Sequence, residues 1–380
     1  MIIGGEINNM EGKFLGVDRK SMYHSIPNNL VWNGEDKGNV LFKPTDEGQF
    51  DFLVYTTMIY NSNPMGMFYT NINRIARLLG YKPRTGKGNI NERIKQSLDR
   101  LKDSWSIRYE IEDSLYCIQV MIPDNEKHFF KLHYYTIEKI LGLDYINKED
   151  TEILGASKYK NKSKALYVYC YIVARMNNIK VDGYYDNINC CYPSMEEICN
   201  DCNIGDKSYL IKLLKYFELD RILFTTNIGQ VRNGHLISNA NNYYTLDIRD
   251  IYGVGYYARG YYFSKGYNAD DEAFKKVLAK EINDLAVGGC EKLFKKDKQK
   301  ALLYVDRINA EFKIFLQEAD LKNEDYIEWE NSNGQFRSKY RGILNAKNLL
   351  YLFDNWKVKI EFLYHVRNCI EAIAIMYEVK

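Results

Sequence analysis

Histidine is scarce in this chain, and the scarcity excludes a good deal of chemistry. Only five occur in 380 residues: His24, His128, His133, His235 and His365. A rolling-circle nuclease needs two histidines flanking one apolar residue, beside a nucleophilic tyrosine. Here HFFKLH (128–133) puts four residues between its pair. A tyrosine recombinase needs H-x-x-R, and HVR (365–367) is one residue short. H-E-x-x-H, G-x-S-x-G and paired-carboxylate motifs are also missing. No set of residues fills the named catalytic roles, so a protein without catalytic residues, cofactor or metal is expected.

Other absences narrow the class further. No apolar run approaches the ~18 residues of a membrane helix, and no N-terminal stretch has the make-up of a signal peptide. A cytoplasmic location, reduced thiols and no membrane partner are therefore expected. Six prolines among abundant Asn, Lys, Ile and Tyr point to an AT-rich genome. The formal net charge is only +2, so the chain as a whole makes no case for nucleic acid. Its 46% apolar and 27% charged residues are those of a globular protein, and its length suggests two or three domains.

The charge distribution says more than the total. From Thr70 to Lys102 nine basic residues oppose only Glu92 and Asp99, a local net charge of +7 over 33 residues. A field of that kind is the usual footprint of a phosphate-binding surface. GYKPRTGKG (80–88) inside it is no Walker loop, because five residues separate the relevant glycines and Gly88 follows Lys87.

Four of the eight cysteines fall in NCCYPSMEEICNDCNIG (189–205) and raise the question of a metal site. Ser194 and Glu197 form an S-x-x-E capping box, and Met195, Ile198, Cys199 and Cys202 then share one helical face. Cys199 and Cys202 therefore sit on a helix rather than on a zinc knuckle, while the adjacent Cys190 and Cys191 alternate across an extended segment. All four read as small buried side chains. After a turn at Asn203–Gly205, Asp206 caps a second helix whose inner face is Tyr209 or Leu210, then Leu213, Leu214 and Phe217. Strands at Ile222–Thr226 and Asn241–Ile248 follow, and ALYVYCYIVARM (165–176) supplies a preceding helix. Helix, turn, helix and hairpin in this order make a winged helix.

The first third repeats the plan. FDFLVYTTMIY (50–60), a helix capped by Thr70, the turn 80–88, the helix NINERIKQSLDRLKD (89–103) and a hairpin of WSIRYEI and LYCIQVMI follow in turn. The outer faces supply the candidate DNA-binding residues. They are Lys82, Arg84, Lys87, Asn89, Asn91, Arg93, Lys95 and Gln96 in the first module, and Lys207, Ser208, Lys212, Lys215 and Arg232 in the second.

SIPNNL (25–30), with the basic helix-turn-helix behind it, resembles the start of replication initiators from plasmids and phages of low-GC Gram-positive bacteria. The stretches KALYVYCYIVARMNN, CYPSMEEICNDCNIGDKSYLIKLLKYFELDRILFTTNIG and NNYYTLDI resemble a winged-helix module recurring in those proteins. In outline they are also similar to the N-terminal domain of DnaD-type replisome organisers. The likeness covers about residues 20–250, with a longer turn in the first module than is usual. It implies double-stranded DNA at origin repeats as the target, host replication proteins as partners, and a homodimer in which one module pairs while the other reads DNA. A winged-helix transcriptional regulator with a C-terminal dimerisation or sensor domain is the alternative.

The expected fold class is mainly α with small β-hairpins (α+β). Two winged helices (20–125 and 126–250) precede a Tyr/Gly-rich linker (251–268) and a helical C-terminal domain (269–380). The linker's six tyrosines accompany only Arg259 and Lys265, too little charge for a single-strand groove, so an extended connector pinned by its tyrosines is expected. Helical spacing recurs at 270–287, 290–319, 338–354 and 357–379. Lys292, Lys295, Lys296, Lys298 and Lys300 form a basic run, read as a solvated face.

Overall fold

The computed structural model describes residues 22–34, 40–122, 128–143, 159–181, 185–282 and 297–300, together with isolated helical residues at 303, 304, 306, 307, 310, 366, 367 and 370. The chain combines helices with small antiparallel sheets. It forms two compact units: residues 1–177 with 193–223, and residues 178–192 with 224–380.

The first unit holds strands β1 (Tyr23–Pro27), β2 (Met67–Thr70), β3 (Ile107–Glu112), β4 (Leu115–Val120) and β5 (Phe129–His133). Its helices are α1 (Asp46–Asn61), α2 (Ile72–Leu78), α3 (Ile90–Asp103), α4 (Tyr134–Leu141), α5 (Lys162–Ala174), α6 (Met195–Asp201) and α7 (Lys207–Asp220). Strands β1 and β5 pair antiparallel, and a separate sheet runs β2–β4–β3. The β3–β4 hairpin turns on Asp113 and Ser114, both with positive φ, as a two-residue turn of this hand requires.

Helices α1 and α5 are buried along nearly every residue, the mark of core helices rather than amphipathic surface ones. They pack on each other. Phe52 of α1 meets Tyr167 of α5 edge-on at 5.9 Å, and the Tyr167 hydroxyl donates to the Phe42 carbonyl at 2.9 Å. Helix α3 joins α1 through Arg100, whose Nε and Nη2 each lie 2.7 Å from a carboxylate oxygen of the nearly buried Asp51. A bidentate pair of this kind fixes orientation as well as contact.

The capping signals read from the sequence are present with one change of residue. Ser194 accepts from the Glu197 N–H at 3.1 Å, and the Glu197 carboxylate accepts from the Ser194 N–H at 2.8 Å. Asp206 caps α7. Helix α2 is capped by Asn71, whose side chain accepts from the Arg74 N–H, and not by Thr70, the last residue of β2. The extended backbone at Thr70 is already used by the sheet, so the cap moves one residue on.

The buried Lys162 opens α5 and reaches three backbone carbonyls: Gly80 at 2.6 Å, Leu141 at 2.7 Å and Leu79 at 3.4 Å. These are the C-terminal ends of α2 and α4, where a cation is favoured by the helix dipoles. Gly80 has φ +71°, and a Cβ there would lie 2.3 Å from both the Leu141 oxygen and the Lys162 Nζ. Only glycine fits that position.

The second unit contains β6 (Asn177–Val181), β7 (Tyr185–Cys191), β8 (Phe224–Thr226), β9 (Gln230–Asn233), β10 (Leu236–Asn239), β11 (Tyr243–Thr245) and β12 (Asn268–Ala269). Its sheets run β6–β7–β11–β8 and β10–β9–β12. Residues expected to form an extended connector instead form helix α8 (Ile251–Ser264). Tyr257 and Tyr261, one turn apart, bring their rings against Tyr192, at 6.3 and 5.2 Å, and Tyr257 also meets Tyr243 at 6.2 Å. Burying that face outweighs the ~1 kcal/mol that each of Gly253, Gly255 and Gly260 costs in a helix. Residues 271–282 are helical, within the expected 270–287. The expected helices 290–319, 338–354 and 357–379 lie largely outside the described residues, as do Lys292, Lys295 and Lys296. Among the described residues no helix is long and apolar enough to cross a membrane.

Burial lowers the Lys162 pKa to about 8 from 10.5. The folded protein therefore releases this proton near pH 8, while the unfolded chain holds it to near 10.5. Stability from this group should rise with pH across that window. Denaturant titrations of wild type and Lys162→Met from pH 7 to 10.5 should show the difference between them moving in favour of wild type as pH increases. At pH 7 the variant should already be less stable by about 2 kcal/mol, since it strands buried carbonyls.

Candidate nucleic-acid interface

The basic segment between α2 and α3 is organised by one amide. Asn91 is 7% exposed. Its Nδ2 donates to Asn73 Oδ1 at 2.8 Å, its Oδ1 accepts from the Arg84 N–H at 3.3 Å, and its own N–H reaches the Arg84 carbonyl at 3.4 Å. Asn91 thus clamps the turn to α3 and stands inside, a correction to its expected place on the outer face. In the first turn of a helix the second residue's side chain can reach back along the incoming loop, and here it does.

The turn so held presents Lys82, Arg84 and Lys87 to solvent, and the outer face of α3 presents Lys95 and Gln96. Asn89 is half-buried and donates to the Thr85 carbonyl at 2.8 Å. Arg93 is exposed but drawn sideways: its guanidinium lies 3.9 Å from the centre of the Phe50 ring and donates to the Asp46 carbonyl at 3.4 Å. Arg100 belongs to the Asp51 pair, which holds its pKa up. Of the basic residues read as one cluster, two thus brace α3 against α1.

Between α2, α3 and the β3–β4 hairpin lies a groove of about 630 Å³. Asn73, Thr85, Glu92 and Lys95 line one side, and Ile111 and Tyr116 of the hairpin line the other. The hairpin tip carries Glu110, Glu112 and Asp113, all exposed, and no basic residue from Tyr109 to Tyr116. Phosphates would be repelled there.

Helix α7, also in the first unit, exposes Lys207, Ser208, Ile211, Lys212 and Lys215 along one face. Its cap Asp206 is held below the usual carboxylate range by hydrogen bonds from the Ser208 hydroxyl and N–H. Arg232, in the second unit, is exposed but paired with Asp270 at 2.9 Å. That pair ties β9 to the start of the 271–282 helix and gives Arg232 a structural partner.

Three of the four cysteines of the 189–205 motif are occupied by packing, whereas Cys199, expected inside, is half-buried. Cys190, Cys191 and Cys202 are buried, and burial raises the Cys202 thiol well above its ordinary pKa and the Cys190 thiol to about 12. Both therefore stay protonated near neutrality.

Asn91→Ala should lower the thermal midpoint, with a cost of about 1–2 kcal/mol for the missing amide bonds. If the cationic turn engages a polyanion, the same variant should weaken binding while leaving the salt dependence unchanged, because no ionic contact is removed. Calorimetry and a salt titration read the two effects separately.

Comparison with known proteins finds no matching family model, no matching curated protein and no matching solved structure.

Proposed function

We propose that the chain is a sequence-specific double-stranded DNA-binding protein of winged-helix construction, acting as a plasmid or phage replication initiator at origin repeats. The observation that carries this reading is the exposed cationic turn, Lys82, Arg84 and Lys87, continued by Lys95 on the outer face of α3. It stands where a recognition helix and its preceding turn meet a duplex.

The order of elements supports the winged-helix reading. In the first module α1, β2, α2, α3, β3 and β4 follow one another, and the strands stand in the order β2–β4–β3. A similar order recurs along the chain as α5, β7, α6, α7, β8 and β11, with β6 added after α5 and β9 and β10 between β8 and β11; its strands stand β7–β11–β8 in the second unit and its helices belong to the first. Two readers on one chain suit repeated binding sites.

In this mechanism α3 enters the major groove, the turn neutralises phosphates, and α7 offers a second basic face. Binding at adjacent repeats would gather host replication proteins on the origin in the cytoplasm, with a homodimer extending the contact. The protein acts by binding and uses no cofactor, metal or catalytic side chain. Each phosphate contact releases a counterion, so affinity falls steeply with salt.

Fluorescence anisotropy on duplex DNA from the gene's own flanks tests this. The triple variant Lys82→Ala, Arg84→Ala, Lys87→Ala should reduce the slope of log affinity against log salt by about 2–3, at ~0.9 for each phosphate no longer neutralised. An unchanged slope and affinity would remove the first module as the DNA reader.

A further inference from the structure

We propose that Glu92 is a specificity-determining residue of α3, selecting one C·G base pair through its carboxylate; this rests on the reading of α3 as the DNA-recognition helix. With Asn91 buried in its clamp and Arg93 and Arg100 turned toward α1, the polar side chains left to the outer face narrow to a short set. Asp99 is engaged as well, accepting from the Tyr109 hydroxyl at 2.6 Å. What remains at helical spacing i, i+3 and i+4 is the half-buried Glu92 with the exposed Lys95 and Gln96.

Glu92 has no structural task of the kind its position usually provides. It is the third residue of α3, the place from which Glu197 in α6 closes a capping box. In α3 the N-cap residue Asn89 makes no side-chain cap bond, and its N–H is taken by the Gly86 carbonyl at 3.2 Å. The Glu92 carboxylate instead lines the groove beside Lys95 and accepts from Gln96 Nε2 at 3.4 Å.

A carboxylate beside the phosphate-facing cations of α3 lowers affinity for every duplex. It recovers that loss only where a base offers a donor, and in the major groove cytosine presents N4–H₂ to an acidic acceptor. The paired guanine presents O6 and N7, which suit Lys95 one turn away. Glu92 therefore works chiefly by rejecting wrong bases, leaving its charge unpaired against them, while Gln96 holds the carboxylate in place.

Selection of binding sites from a randomised duplex library, with full-length wild type and Glu92→Gln, tests the assignment. Wild type should enrich sites sharing a C·G pair, and Glu92→Gln should lose about tenfold of the discrimination at that one pair. The variant should at the same time bind mixed-sequence duplex more tightly, with the same salt slope. If the variant retains the same preference at every position, Glu92 does not read a base, although α3 can still bind DNA. If Glu92→Gln only lowers the thermal midpoint, its role is confined to the charge at the helix start, and the assignment fails. If wild type enriches no sequence and binds no duplex, the failure lies with the DNA-binding reading itself.

Discussion

Two helices buried along nearly every residue cannot be stable alone in water, and the first unit is built on that constraint. Helices α1 and α5 must bury each other, and the elements around them close the faces that their pairing leaves open. Phe52 against Tyr167 and the Tyr167 bond to Phe42 lie at this seam. Gln49 of α1 then reaches the Cys202 carbonyl at 2.9 Å, joining the end of α6 to the same core. The Asp51–Arg100 pair and the Gln49 amide work from this frame, because a buried ion pair or amide needs a rigid setting to offset its desolvation.

The cationic surface is positioned from below by groups that carry no exposed charge. Asn91 holds the turn to α3, Gly80 permits the close approach of α2 to α4, and Lys162 satisfies the carbonyls where those two helices end. Asp51 and Arg100 set the rotation of α3 on α1. The outcome divides the basic residues of 70–102 into two groups. Some are spent on bracing the helix, and the others face solvent where a polyanion can reach them.

Much of the local structure was legible in the sequence. The capping box at Ser194 and Glu197, the Asp206 cap, the inner face of α7 and the hairpin after α3 all emerge where their spacing places them, while on α6 Ile198 and Cys202 are buried and Met195 and Cys199 half-buried. Signals of this kind act over three or four residues, so tertiary context rarely alters them. The candidate site was legible as a charged segment but not residue by residue. Periodicity put Asn91 and Arg93 outside with Lys95, since a helical wheel does not know that the incoming loop wraps one side and that Phe50 waits on another.

The sequence alone determined where helices start, which faces are apolar and where positive charge accumulates, because those properties depend on neighbours along the chain. Only the tertiary structure decided that 251–264 is a helix, since rings from β11 and the segment after β7 supply the burial that its glycines oppose. It also decided that Lys162 ends inside, bonded to carbonyls 21 and 82 residues away. Which cations stay free was settled the same way, by partners distant in sequence and near in space.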